Sequence, residues 1–428
     1  MKRTKLKSRV VVGAGVLLVI TCAILTARLS VAVFGRRSLK LSAGNLVPAI
    51  SLGERHGLIV ASDGSLWSWG SDFLGWPVLG LGDRAKPSPR LRRIGHENNW
   101  VSISAGVGHS LAIKSDGTLW TWGESVQEQF ARPKPAGTPV PAAPGNDWKQ
   151  AAAGGIHSVA LKKDGTLWAW GNNWAGSVGS TSPEGSSVPV QIGSETNWIR
   201  IWAGSLETVG MQSDHSLWYW GDSPDPACDM KAGRIPFPML ISPDTDWVDV
   251  GFGVNTVFAI KANGTLWTWG RQAHVYTGAS DTAKDATPTR IGTDSDWQSI
   301  SAAAGWWCQG LIKKDGSLWL MDASDGKPNG PQPPYKPVRF RRIEFPKPYV
   351  AYAGGAVHAA APGMHGPIGV ILTSTGEVWT WGLVLGDPSP LTSILAFLAH
   401  PSDVPLFVFR EKPWRLGCIE PTALARQS

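Results

Sequence analysis

Beyond residue 45 the chain is dominated by short segments in which apolar and polar residues alternate with a period of two, and these come in pairs around a tight turn. SLAIKS before Asp116 and TLWTW after Gly117 are one such pair. Two alternating runs flanking Asp-Gly predict a β-hairpin, and the dipeptide predicts a type I′ turn whose two central residues both take positive φ. The unit recurs as DGSLWSWG from Asp63, DGTLWTWG from Asp116, DGTLWAWG from Asp164, DHSLWYWG from Asp214, NGTLWTWG from Asn263, DGSLWLMD from Asp315 and TGEVWTWG from Thr375. The second turn residues, Gly64, Gly117, Gly165, His215, Gly264, Gly316 and Gly376, are 53, 48, 50, 49, 52 and 60 residues apart.

Upstream of five hairpins lies a third strand led by Trp100, Trp148, Trp198, Trp247 or Trp297. Downstream, PRLRRIG from Pro89, PVQIG from Pro189 and PTRIG from Pro288 predict a fourth, with proline at its start. Four short antiparallel strands repeated about every 50 residues describe the blades of a β-propeller, whereas an apolar period of two excludes a helical solenoid. The expected fold is all-β, a seven-bladed propeller of four-stranded antiparallel blades, with the paired tryptophans of each W-x-W strand in the core between blades. The seventh copy is atypical, with AAAPGMHGP inserted after His358 and LTSILAFLAH after Gly382; Trp414 and the following RLGCI faintly echo a Trp-led first strand.

The composite pattern A-G-x-x-H, S-L-A-I-K-x-D-G-T-L-W-x-W-G and P-x-x-I-G resembles the regulator-of-chromosome-condensation repeat in its bacterial form, over roughly residues 45 to 410. The resemblance implies a seven-bladed propeller, and it implies that the histidine of the first element, His56, His109, His157 and His358 here, is a structural residue of the repeat. The eukaryotic founder's nucleotide exchange and chromatin binding are not carried over, because no exchange-type β-wing insertion is visible.

Charge changes the picture of compartment. Residues 1–40 hold nine of the 40 basic residues and no acid, leaving 31 basic against 33 acidic residues, so the pI near 9.2 describes the leader rather than the propeller. A nucleic-acid partner loses its support. Val10 to Ala27 is an 18-residue run without a charge, flanked by basic residues, and predicts one N-terminal transmembrane helix acting as a signal anchor. Residues 1–40 are then a cytoplasmic tail and anchor, and 41–428 a propeller on the extracytoplasmic side of the cell membrane. A cleaved leader, or a lipidated Cys22, is the alternative. Among Cys228, Cys308 and Cys418 at most one disulfide can form, and no pair has metal-ligand spacing, so no cofactor or metal is expected.

Six aromatics fall where the repeat does not require them: Trp76, Trp174 and Tyr276 after W-x-W strands, Trp202 on a first strand, and Trp306 and Trp307 before Cys308. Aromatics on loops of a rigid scaffold are binding anchors; the opposing reading has them filling irregular loop packing. No G-x-S-x-G, H-E-x-x-H, P-loop or dinucleotide-binding motif is present. These observations predict a non-catalytic scaffold that binds an envelope or extracellular protein through its loops. A carbohydrate or peptidoglycan binder using the same tryptophans is the second reading, and an enzyme acting on envelope glycans through loop carboxylates such as Asp83, Glu124, Asp222 and Asp322 the third.

Overall fold

The hairpin turns explain why the repeat is spelled as it is. In a computed structural model, which describes residues 46–72, 76–83, 85, 88–123, 136–180, 184–223, 234–253, 256–271, 273–278, 287–301, 309–322, 338–343, 349–358, 365–373, 377–383 and 409–418, positive φ falls on the second turn residue. Gly64, Gly117, Gly165, Gly264 and Gly316 lie between 76° and 84°, and His215 at 66°. The Asp or Asn before each of them stays outside the left-handed region. Gly117 N donates to Lys114 O (2.9 Å) and Lys114 N to Thr118 O (3.1 Å). The expected type I′ turn is therefore corrected to a three-residue loop, a type I turn closed by a left-handed residue, in which one Gly is enough. Gly376 lies outside the described residues.

The acidic turn residue orders the strand that follows. Asp116 Oδ1 accepts from Thr118 N (2.9 Å) and from its hydroxyl (2.7 Å), and Thr118 Oγ1 in turn accepts from Trp120 Nε1 (2.9 Å). Trp67, Trp168, Trp218, Trp267 and Trp319 are oriented by their own Ser or Thr in the same way. The turn glycine then faces the next blade: Gly117 O accepts from Trp148 N at 3.1 Å, and Gly264 O from Trp297 N at 3.1 Å.

The described strands form seven four-stranded antiparallel sheets, each from one contiguous stretch of chain and paired in sequence order. The first comprises Ala49–Leu52, His56–Val60, Leu66–Gly70 and Ser88–Ile94; the second Trp100–Ala105, His109–Lys114, Leu119–Gly123 and Ala136–Pro141; the third Trp148–Ala153, His157–Lys162, Leu167–Gly171 and Ser186–Ile192. The fourth comprises Trp198–Ala203, Glu207–Gln212, Leu217–Asp222 and Arg234–Leu240; the fifth Trp247–Gly253, Thr256–Lys261, Leu266–Trp269 and Thr289–Ile291; the sixth Trp297–Ser301, Gln309–Lys313, Leu318–Asp322 and Arg339–Ile343.

The fold expectation is corrected in two respects. The all-β propeller has six regular blades rather than seven like ones. The remaining sheet, Tyr349–His358, His365–Thr373, Glu377–Leu383 and Phe409–Cys418, has strands of 10, 9, 7 and 10 residues and is not a copy of the repeat. Its first strand lies between the sixth blade and Ala49–Leu52. Trp414 sits on its fourth strand, paired with Thr380, not on a Trp-led first strand. Secondly, the N-terminal transmembrane helix does not stand as part of the fold. The helix seen, Ala273–Thr277, has five residues; no helix among the described residues is long and apolar enough to cross a membrane, and residues 10–27 lie outside them.

The core is divided among the seams between blades. Leu58, Val60, Leu66 and Ile94 of the first blade pack on Trp100 and Trp122 of the second; Val159, Leu161 and Leu167 of the third pack on Trp198, Ile201 and Trp220 of the fourth. Successive residues of a strand bury opposite faces against opposite neighbours, so a W-x-W strand is buried on both sides.

Candidate functional site

The loops that join the first strand of a blade to its second, and the third to its fourth, share one end of the propeller. Three of the A-G-x-x-H histidines, His56, His109 and His157, lie beneath them, fully buried. His56 Nε2 is hydrogen-bonded to Ser110 Oγ (2.8 Å), His109 Nε2 to Ser158 Oγ (2.9 Å) and His157 Nε2 to Thr208 Oγ1 (2.9 Å). Each ring latches its blade to the hydroxyl one residue after the next blade's latch position. Burial pushes the three rings down to about 3, 4 and 3 respectively, so they are neutral. Among the described residues no group of three or more His, Cys, Asp or Glu side chains is placed to hold a metal. The strand carrying His358 is described, but not its side chain.

The series breaks at the seam between the fourth and fifth blades. Glu207 replaces histidine, and Val257 stands where a hydroxyl is needed. The Glu207 carboxyl is buried, accepts from Leu206 N (3.0 Å) and lies so close to Gly204 that a Cβ there would come within 2.7 Å of Oε2. Burial, aided by the nearby charge of Asp222 and opposed by a backbone hydrogen bond and by Arg271, pushes it up to about 7. Arg200 of the fourth blade ties the middle of this seam to Asp249 Oδ1 (Nη2, 3.1 Å) and Val248 O (Nη1, 2.6 Å); at the loop end the tie is Arg271, which follows the W-x-W strand of the fifth blade. It reaches back to Asp222 Oδ1 (Nη2, 3.3 Å) and Ser223 O (Nε, 3.0 Å), and the buried Tyr219 hydroxyl donates to Asp222 O.

The proposed anchors separate into buried and exposed. Trp202 is 8% exposed in the core between the fourth and fifth blades, with the Arg200 guanidinium 4.6 Å from its ring centroid. Tyr276 is 1% exposed, edge-on to Phe258 at 4.8 Å in the core between the fifth and sixth. For these two the anchor reading is corrected: they fill seams. Trp76 is half-buried. Trp306 and Trp307 lie outside the described residues, as do Cys228 and Cys308. Trp174 is 47% exposed.

Trp174 stands on a loop fixed from within. Asn172 Oδ1 accepts from Trp174 N (2.9 Å), Asn173 Oδ1 from Val178 N (2.8 Å), and Asn173 Nδ2 donates to Ser180 O (2.8 Å). Gly176 lies against the backbone of Ile235 and Pro236 in the fourth blade, so the loop rests on that blade's outermost strand.

That strand, RIPFPML, is where sequence reasoning missed a feature. Tyr219 faces Met239 and Gly221 faces Ile235, so Pro236, Phe237 and Pro238 bulge opposite Trp220 alone. The same bulge sets Thr138 and Val188 at its apex in the second and third blades. Pro189 accordingly sits inside a bulge rather than at a strand start, whereas Pro288 does immediately precede its strand. Beside the exposed Arg234, three exposed positions of the fourth-blade strand are large and apolar, Phe237, Met239 and Leu240, where the third blade has Val188. With Trp174 and Val188 they gather on two adjacent blades.

Residues 100–129 and 148–175 match the family model of the regulator of chromosome condensation (RCC1) repeat. These stretches cover most of the second and third blades, and the matches support the RCC1 β-propeller family. The RCC2 homolog of Danio rerio is 36% identical over 78 residues, 18% of this chain and 15% of that protein. The X-linked retinitis pigmentosa GTPase regulator homolog of Caenorhabditis elegans is 35% identical over 87 residues, 19% of this chain and 6% of that protein. The matched stretches thus span under a sixth of these relatives' length. Among solved structures, Prp20p of Saccharomyces cerevisiae is 18% identical with a TM-score of 0.59, over 90% of this chain and 88% of that one. Human WBSCR16 is 17% identical, also with a TM-score of 0.59, over 81% of this chain and 92% of that one. At these identities the likeness is one of fold.

Proposed function

We propose that this propeller is a non-catalytic protein-binding scaffold of the cell envelope, docking its partner on the third and fourth blades. The observation that carries the docking site is the pairing of a rigidly held, exposed Trp174 with the apolar edge Phe237, Met239 and Leu240. Trp, Phe and Met are the residues that protein interfaces concentrate. Protein binding is also in keeping with the RCC1-like propellers: yeast RCC1 has been solved bound to Kap60, and Prp20p is described by its binding to Gsp1p and histones. The envelope compartment rests on the leader, whose basic cluster precedes an apolar run as in an export signal.

The partner's contact is side-chain packing rather than an added strand. Pro236 and Pro238 remove two N–H donors from the edge, and the bulge breaks its register. An apolar surface or helix face of a protein is the occupant these features fit.

The test places a photo-crosslinking residue at 174, 188 or 237 of the full chain in intact cells, with positions 116 and 164 on the hairpin turns as controls. One protein crosslinked from the first set, absent from the controls and lost in Phe237→Asp, supports the reading. Trp174 quenching by glycan fragments, with no protein crosslinked, would overturn it in favour of carbohydrate binding.

A further inference from the structure

Every seam whose latch is visible between the first and fourth blades is closed by a neutral histidine on a hydroxyl, but the next is closed by an arginine on a carboxylate with a second, buried carboxyl beside it. Val257 stands at the fifth-blade position where Ser110, Ser158 and Thr208 offer a hydroxyl to the other latches. Among the described residues, the charged and titratable groups that bear on it are Asp222 and Tyr219 from the neighbouring strand of its own blade and Arg271 from the fifth blade. On the far side of the fourth blade, His157 is spoken for by Thr208. Arg271 is the one cation among these groups, and it is already engaged by Asp222 and Ser223 O.

We propose that the seam between the fourth and fifth blades is a pH-operated joint, shut while Glu207 carries its proton and opened at the loop end when that proton leaves for solvent. A buried carboxylate must be paired or hydrated. Ionised Glu207 meets that demand by drawing Arg271 away from Asp222 or by admitting water between the blades. Either route breaks the tie at the loop end and leaves the Arg200–Asp249 pair in place as the hinge of the joint. The inference stands independently of whether a protein docks on the outer edge.

The displacement of Glu207 to about 7 from 4.5 sets the window and the sign. A carboxyl that holds its proton more tightly in the closed form favours closure at low pH. Opening then grows by about tenfold per pH unit from about pH 5 to about pH 7 and levels off above. Histidine latches act oppositely over the acidic part of this range, because their closed form disfavours the proton.

Hydrogen exchange of the full chain, read as protection factors at pH 5, 6, 7 and 8, tests this. Amides of Glu207–Gln212 and Leu217–Asp222 should lose protection between pH 5 and 7, while those of His109–Lys114, on the His109–Ser158 seam, should gain it. Glu207→Gln should remove the loss. Should that variant fail to fold, Glu207→His with Val257→Ser rebuilds the latch of the other blades and should reverse the sign. A wild-type fourth blade that follows the second, or a Glu207→Gln protein that keeps the loss, overturns the proposal.

Discussion

His109 of the second blade and Ser158 of the third are hydrogen-bonded at 2.9 Å, both fully buried, 49 residues apart in sequence. One residue of each repeat thus reads the next. Ser158→Ala removes the hydroxyl that meets this Nε2 and leaves a buried imidazole nitrogen unsatisfied, a loss of about 1–3 kcal/mol. Ser158→Thr retains the hydroxyl and should cost less. Urea denaturation of both variants measures the difference, and equal stability of wild type and Ser158→Ala would show that water replaces the hydroxyl.

The latches also set the pH dependence of folding. His56, His109 and His157 have folded values lowered to about 3, 4 and 3 from 6.5, so the unfolded chain binds protons more readily below pH 6.5. Their contribution is fully present above that pH and is lost as pH falls. Glu207, raised to about 7 from 4.5, works in the opposite direction between those values. Each proton is worth about 1.4 kcal/mol per pH unit. Burial also raises Glu54, Asp72, Asp222 and Asp249, which oppose the histidines at the acid end. Stability should rise toward about pH 6.5 and then decline slightly to about pH 7, a maximum that denaturant titrations across this range would locate. A flat acid limb would mean that the histidines are hydrated in the folded protein.

Much of this was legible because the repeat is written in backbone chemistry. Asp-Gly-Ser/Thr-Leu-Trp specifies turn, Asx contact and indole orientation within five residues, so hairpins and the burial of Trp122 and Trp220 followed from sequence. The turn type did not: Asp-Gly fits either a two-residue or a three-residue loop, and the choice depends on where Lys114 N finds its acceptor. Nor could an aromatic outside the repeat be sorted by spacing. Trp202 and Trp174 look alike in sequence, but Trp202 shares a face with Arg200 toward the fifth blade while Trp174 follows two asparagines that fix its loop. The apolar edge was missed because its signal, Phe between two prolines, reads as a break rather than as a bulge displayed to solvent. The irregular last sheet was legible only as an interruption, since its long strands arise where the repeat has lapsed.

Two glycines of positive φ should differ in tolerance. Gly117, at 84°, faces Asn146 so closely that a Cβ would fall 2.0 Å from its carbonyl oxygen, whereas among the described residues the nearest atom to a Cβ on Gly292, at 63°, is Phe340 Cε2 at 3.7 Å, an ordinary contact. Gly292→Ala carries the left-handed penalty alone, about 1 kcal/mol. Gly117→Ala adds displacement of the segment that enters the third blade and should cost at least twice as much. Thermal denaturation of the pair separates the two terms, and equal losses would mean that the connection at Asn146 yields freely.

Lys261 presents a choice between two sources of stability. Its ammonium lies 4.7 and 5.0 Å from the ring centroids of Trp247 and Trp267 and also bridges Asp244 Oδ2 (2.8 Å) and Asp246 Oδ1 (3.0 Å). Both carboxylates are about half exposed, so each ion pair is worth at most about 1 kcal/mol. The stem and the indoles are shielded from water, where cation–π contact and packing together reach about 2 kcal/mol. Asp244→Asn should therefore change stability little, Lys261→Met should lose the cation but keep the packing, and Lys261→Ala should lose both and cost most. Raising salt to 1 M, where screening acts within about 3 Å, should weaken the wild type only slightly. If salt or Asp244→Asn instead produced a loss as large as Lys261→Ala, the ion pairs rather than the indoles would hold the lysine in place.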